Sequence, residues 1–221
     1  MKFYDPTGIE FSNPEEFVDY YSKCYFLNNS KVAEDEIMKL FNLGIQEPMD
    51  VMRILEWKLG RIDQKRSQCE GKTFFRHEDL MKEFKTKTRS GEIDAKELSY
   101  YIAKHYKRLK EKDPSFVFQK LTDIKVDNLG TVYIITLVYF ITQKCPIYDR
   151  FAHQAILAIT GDKPRRPGDI VPYKSLPDKT AKNAYSRYDT EYVKKLREVF
   201  NNYMSREVDQ ALWVYGHLFR Q

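Results

Sequence analysis

The chain has no long apolar run. Nothing in it approaches the roughly 18 to 20 uninterrupted apolar residues of a membrane-spanning helix, so no membrane partner is expected. The opening stretch, MKFYDPTGIEFSNPEEF, lacks the basic and then apolar layout of a secretory signal, and the expected location is the cytoplasm. Cysteine is scarce: Cys24, Cys69 and Cys145 are odd in number and far apart, a pattern of reduced thiols rather than of a disulfide framework. There is no Cys-x-x-Cys pair, and His77, His105, His153 and His217 are scattered. No metal-ligand spacing results, and neither a metal nor another cofactor is expected. The Gly-x-Ser-x-Gly elbow and the Ser/His/Asp arrangement of hydrolases are also missing. The stretch GDKP lacks the flanking strand and the lysine placement of a nucleotide-binding loop.

What is present is aromatic and charged. Tyr and Phe are abundant, which marks a globular chain rather than a disordered one. A length of 221 residues allows one sizeable core or two small lobes sharing an interface, and a single compact unit over 1–221 is expected. The formal charge of +5 is compatible with a polyanionic partner without requiring one.

Helical signals recur along the chain. Asn13 before Pro14, Glu15 and Glu16 is a capped helix start, with the helix running to about Phe26. Ser30 caps a second helix with Ile37, Leu40 and Phe41 at helical spacing and Gly44 as its stop. Val51, Ile54, Leu55 and Leu59 form the stripe of a third. The polar stretch 65–92 is irregular apart from a short helix over HEDLMKEF, and DAKELSYYIAKHYKRLKEKDP is a helix ending at Pro114. The run VYIITLVYFITQ has strand propensity. It is nevertheless longer than the usual strand of roughly 5 to 6 residues, and its neighbours are helical, so a buried central helix is expected. Prolines 164, 167, 172 and 177 make 160–183 a long loop. Two further helices follow, capped by Thr190 and Ser205. No repeat and no β-hairpin is evident, and the class is all-α.

Residues 114–159 order these signals in a particular way. FVFQKLTDI is followed by KVDNLGT, then by VYIITLVYFITQ, then by CPIYDRFAHQAI. This succession resembles the helix-hairpin-helix DNA glycosylase superfamily, including its 8-oxoguanine branch. The resemblance implies a two-lobed helical bundle with one lobe over about 30–143, containing the hairpin 124–131, and the other built from 1–29 and 144–221. Asp149 would lie at the cleft as the catalytic carboxylate, and the hairpin backbone would hold a DNA phosphate. Lys125, Asn128, Gly130, Thr131 and Arg150 are the corresponding candidates for DNA contact. Such a layout suits base removal, because a base inside a duplex must be extruded before chemistry can reach it. Amide donors at a helix start suit phosphate, and a carboxylate can stabilise a cation-like sugar.

The pattern departs from the family at two landmarks. The family hairpin carries two glycines close together, whereas DNLG has Gly130 alone. Bifunctional members place a nucleophilic lysine where counting back from Asp149 reaches Gly130 or Thr131. Lys120 and Lys125 are the nearest lysines in that direction, so lysine-dependent lyase chemistry is not expected.

Each candidate has an ordinary structural role as well. Asp149 precedes an apolar-periodic stretch and can be its N-cap. Arg150 and Lys144 can be solvated charges, Gly130 can serve a tight turn, and Asn128 can cap the apolar helix. His153, one turn past Asp149, can pair with it, although a surface position is the stronger expectation. Trp57, Trp213, Tyr133 and Tyr139 belong to a core rather than to a base-stacking platform. The basic stretches KPRRPGD and KTKTRS can touch a phosphate backbone or simply be solvated. The functional expectation is a DNA-binding protein that removes a damaged base. The alternative is a non-catalytic DNA- or protein-binding helical module on the same fold.

Overall fold

Most helices begin where a side chain can accept the first free N–H groups. A computed structural model describes residues 1–88, 90–161 and 165–220. In it, α1 (Pro14–Tyr25) opens on Asn13, which accepts from the Glu16 N–H at 2.9 Å, and α2 (Lys31–Leu43) opens on Ser30, which accepts from the Ala33 N–H at 3.2 Å. Gly44 stops α2 at φ +78°, in the left-handed region that favours glycine. Helix α3 (Pro48–Lys58) begins with a reciprocal capping box between Glu47 and Asp50. Short helices α4 (Gln64–Glu70) and α5 (Glu78–Lys82) come next.

A feature not expected from the sequence follows. Strands β1 (Lys85–Thr88) and β2 (Gly91–Asp94) pair antiparallel, with Thr86 opposite Ile93. Thr86 and Ile93 are fully buried while their neighbours Lys87, Glu92 and Asp94 are exposed, the period-two pattern of a half-buried ribbon. The Thr86 hydroxyl donates to the buried carboxylate of Glu56 on α3. This small hairpin corrects the expectation of an irregular, strand-free segment. The class stays mostly helical, at 56% helix with one two-stranded sheet.

The chain continues through α6 (Lys96–Lys110), α7 (Pro114–Thr122) capped by Asp113, and α8 (Thr131–Thr142). Ten of the twelve residues of α8 are buried, which explains its strand-like composition: a helix enclosed nearly all round needs no polar face. Helix α9 (Arg150–Thr160), the short α10 (Ala184–Tyr188), a π-helical turn (Asp189–Val193), α11 (Lys194–Val199) and α12 (Arg206–Gly216) complete it. Ser205 caps α12 through the Val208 N–H at 3.2 Å. Thr190 is not a cap: helix begins earlier, at Ala184, and the Thr190 hydroxyl donates to the Ser186 carbonyl at 2.8 Å inside it.

The packing divides the chain into two units. One comprises 1–28, 146–177 and 181–221; in it α12 packs against both α1 and α9. Gly216 makes the second contact close, since a Cβ there would collide with the Phe151 carbonyl oxygen. The other unit comprises 29–145 and 178–180, and its core joins Val51, Ile54 and Leu55 of α3 to α6 and α8. Among the described residues, no helix is long and apolar enough to cross a membrane.

Candidate functional site

Asp149 stands at the boundary between a buried segment and an amphipathic helix. Cys145, Pro146, Ile147 and Tyr148 before it are buried, Asp149 is half-buried, and Arg150 after it is exposed. The Tyr188 hydroxyl donates to the Pro146 carbonyl, which helps fix the approach of the chain. Asp149 has extended backbone (φ −138°, ψ 148°), and its Oδ1 accepts from the Phe151 N–H at 2.8 Å, so it is the N-cap of α9. The same cap holds the carboxylate in one orientation. Arg150 lays its guanidinium 4.5 Å from the centre of the Phe151 ring.

His153 does not sit at the surface, and its Nδ1 is paired with Tyr148 rather than with Asp149. It is 2% exposed, and its Nδ1 lies 3.0 Å from the Tyr148 hydroxyl, which in turn lies 2.9 Å from the Tyr173 hydroxyl. The reason is the phase of α9: Ala152, His153, Ala155 and Ile156 all belong to its buried side. Burial pushes the His153 pKa down to about 4, with Glu191 opposing and Lys195 and Arg187 reinforcing the shift. The imidazole is therefore neutral at pH 7. Burial also raises the pKa values of Tyr148 and Tyr192, so both phenols are neutral hydrogen-bonding groups.

The hairpin belongs to the other unit. Between α7 and α8, Val126 and Leu129 plug inward while Lys125, Asp127 and Asn128 face out. Asn128 does not cap α8. It occupies the left-handed region at φ +60° and donates from its amide to the Glu92 carbonyl at 2.8 Å, tying the loop to β2. The cap position falls to Gly130, with φ −77° and ψ 169°. The tight-turn expectation for Gly130 fails for the same reason, since the positive φ lies at Asn128 instead. With no side chain at Gly130, α8 starts without a side-chain cap, and a Cβ placed there would meet nothing within 4 Å. Thr131 is buried, so its side chain does not face outward. The Tyr133 N–H of the first turn donates to the Gly130 carbonyl at 3.1 Å.

Neither Lys120 nor Lys125 stands at position 130 or 131. Lys120 pairs with Asp123 at 3.7 Å, and Lys125 is exposed. A lysine that sequence proximity misses does reach the loop: the Lys179 Nζ donates to the Val126 carbonyl at 2.5 Å, and burial lowers its pKa. Lys144 is engaged rather than free, donating to the Glu111 and Lys112 carbonyls at 3.1 and 3.3 Å. Of the two basic stretches, Arg89, Lys163 and Pro164 lie outside the described residues. Lys85 meets Glu83 and Glu92 at 3.8 and 3.5 Å, while Arg165 and Arg166 are exposed. Tyr139 is a core residue stacked on Phe41 at 4.7 Å, whereas Trp57 and Trp213 are half-buried. Among the described residues, no group of three His, Cys, Asp or Glu is placed to hold a metal ion.

Tyr173 and Lys179 come from the proline-rich segment. Each makes its contact across dozens of residues, at 2.9 Å to Tyr148 and 2.5 Å to Val126, and no local spacing announces either. Comparison of the chain with protein-family models, curated proteins and solved structures finds no match.

Proposed function

We propose that the protein binds DNA and removes a damaged base, with Asp149 as the catalytic carboxylate, on a fold of the helix-hairpin-helix glycosylase type. The observation that carries this reading is the oriented, half-buried carboxylate of Asp149 at the start of α9, downstream of α7, a loop and an uncapped α8. In the proposed reaction the bond between the sugar C1′ and the base nitrogen breaks, and its electron pair leaves with the base. The Asp149 carboxylate stabilises the cation-like sugar and orients the water that adds at C1′, and the proton that this water loses ends on the departing base. The α8 N-terminus and the exposed Lys125 and Arg150 supply backbone contacts, which position the nucleic acid without reading its sequence.

Gly130 or Thr131 stands where a lyase lysine would be expected, so the product is an intact abasic strand. The test is a panel of duplexes, each carrying one damaged base, treated with the protein and then split into two arms. Breaks only after alkali are the expected result. Breaks without alkali would contradict the assignment as a glycosylase without lyase activity.

A second reading, a non-catalytic DNA- or protein-binding module, is favoured by the single hairpin glycine and the absent lysine. Tight duplex binding with no excision on any substrate would select it.

A further inference from the structure

Helix α6 carries a face that neither Asp149 nor the hairpin loop uses. Its inner side, with Leu98, Ile102, Tyr106 and Leu109, is buried, and the helix packs against α3 and α8. On the outer side Lys96, Tyr100, Lys104, Lys107 and Arg108 are exposed. They share a face because each follows another by three or four residues. A rise of about 1.5 Å per residue puts Lys96 and Arg108 about 18 Å apart along the axis.

Two ordinary roles for these cations fall short. Exposed cations on other helices hold a carboxylate three or four residues away, as Lys23 holds Asp19, Lys39 holds Glu36 and Arg66 holds Glu70. Among the described residues Lys96, Lys104, Lys107 and Arg108 form no ion pair, even though Glu97 and Glu111 are close in sequence. The helix dipole accounts for cations in a last turn, which here means Lys107 and Arg108. Lys96 stands in the first turn, where a cation is unfavourable, and Lys104 precedes the last turn. The face is thus a row of unmatched positive charge.

A DNA duplex complements such a row. It presents about one phosphate charge per 1.7 Å of its axis, so about ten lie within the length spanned by Lys96 and Arg108. Lysine, arginine and the tyrosine hydroxyl all donate to phosphate. An anionic membrane fits worse, because a helix lying on one buries its apolar face there, and the apolar face of α6 is enclosed in the protein. A single strand needs aromatic rings on which successive bases stack. The outer face exposes one aromatic, Tyr100, and that ring already meets Phe84 at 5.2 Å.

We propose that the outer face of α6 is a docking surface for duplex DNA, which Lys96, Lys104, Lys107 and Arg108 hold through its phosphates. It reads no sequence and requires neither Asp149 nor base removal. The probe is an undamaged, fluorescein-labelled duplex of about 20 base pairs, titrated with the full chain between about 50 and about 200 mM salt and read by anisotropy. Lys104→Gln combined with Arg108→Gln is expected to weaken binding about tenfold or more at the lower salt, and to reduce the slope of log affinity against log salt by about two. Lys23→Gln combined with Lys39→Gln removes the same charge from cations already held by carboxylates, and is expected to leave affinity and slope nearly unchanged. Both double variants should keep the wild-type circular dichroism. Equal weakening by the two would overturn the proposal, because net charge rather than this face would then attract the duplex. Wild-type binding by the Lys104 and Arg108 variant also overturns it and puts the duplex elsewhere. So does a wild-type chain that ignores the duplex, or that prefers the single strand or phosphatidylserine vesicles. Duplex binding that depends on α6 in a protein that removes no base would support this surface and contradict the reading of Asp149 alone.

Discussion

Asparagine at position 149 keeps the oxygen that accepts the Phe151 N–H and removes the negative charge, so substitution separates capping from chemistry. Asp149→Asn is expected to leave the free energy of unfolding within a few tenths of a kcal/mol, whereas Asp149→Ala loses the cap and about 1 kcal/mol; urea titration measures both. Equal losses for the two variants would mean that the charge, rather than the acceptor, holds the helix start. His153 makes a prediction of its own. Its folded pKa, about 4, lies below its ordinary value of 6.5, so between those limits the unfolded chain binds the proton and the folded chain does not. Stability therefore falls as pH drops through that window, by on the order of 3 kcal/mol at most. An NMR titration of the imidazole should find it neutral down to about pH 4; a midpoint near 6.5 would contradict the buried assignment. The cap at Asp149 was legible in the sequence because a cap is a local device. The burial of His153 was not, because it depends on how α9 is turned against residues as distant as Tyr173 and Tyr192.

At the scale of elements, caps and stripes were readable for the same local reason. Asn13, Ser30 and Ser205 each accept the N–H three residues on. The length of the apolar run outweighed its strand propensity at α8. The β1–β2 ribbon escaped because it has only one inward pair, Thr86 and Ile93, too short for a period to appear. Its anchors, Glu56 on α3 and Asn128 in the hairpin loop, come from far along the chain. Thr190 misled in the opposite direction, since a residue suited to capping sits one turn inside a helix that starts earlier. The uncapped start of α8 yields a two-sided prediction. Gly130→Ser places a side chain in open space and adds the missing acceptor, so it should stabilise the protein by a few tenths of a kcal/mol. The same side chain obstructs a phosphate approaching the α8 amides and should weaken duplex binding severalfold. A melting curve and a fluorescence anisotropy titration measure the two effects. Unchanged DNA affinity would remove the hairpin from the interface.

For the molecule as a whole, charge is the property most readily tested. Lys and Arg exceed Asp and Glu by 37 to 32, and a modest surplus favours DNA only where the cations are free to meet phosphate. Lys85 and Lys144 are occupied by protein acceptors, whereas Lys125, Arg150, Arg165 and Arg166 are exposed. With a few phosphates contacted, raising salt from about 50 to about 200 mM should lower duplex affinity about tenfold or more; salt-independent retention would argue against a phosphate interface. Long-range organisation was the least readable level, as Lys179 illustrates: its partner, Val126, lies in a loop that no sequence spacing connects to it. The measurement that bears most directly on function compares wild type with Asp149→Asn for free base released from a damaged duplex that both proteins bind equally well. Release by wild type and none by Asp149→Asn, at matched affinity and stability, is the expected outcome. Equal release by the two proteins would contradict the assignment of Asp149 as the catalytic carboxylate.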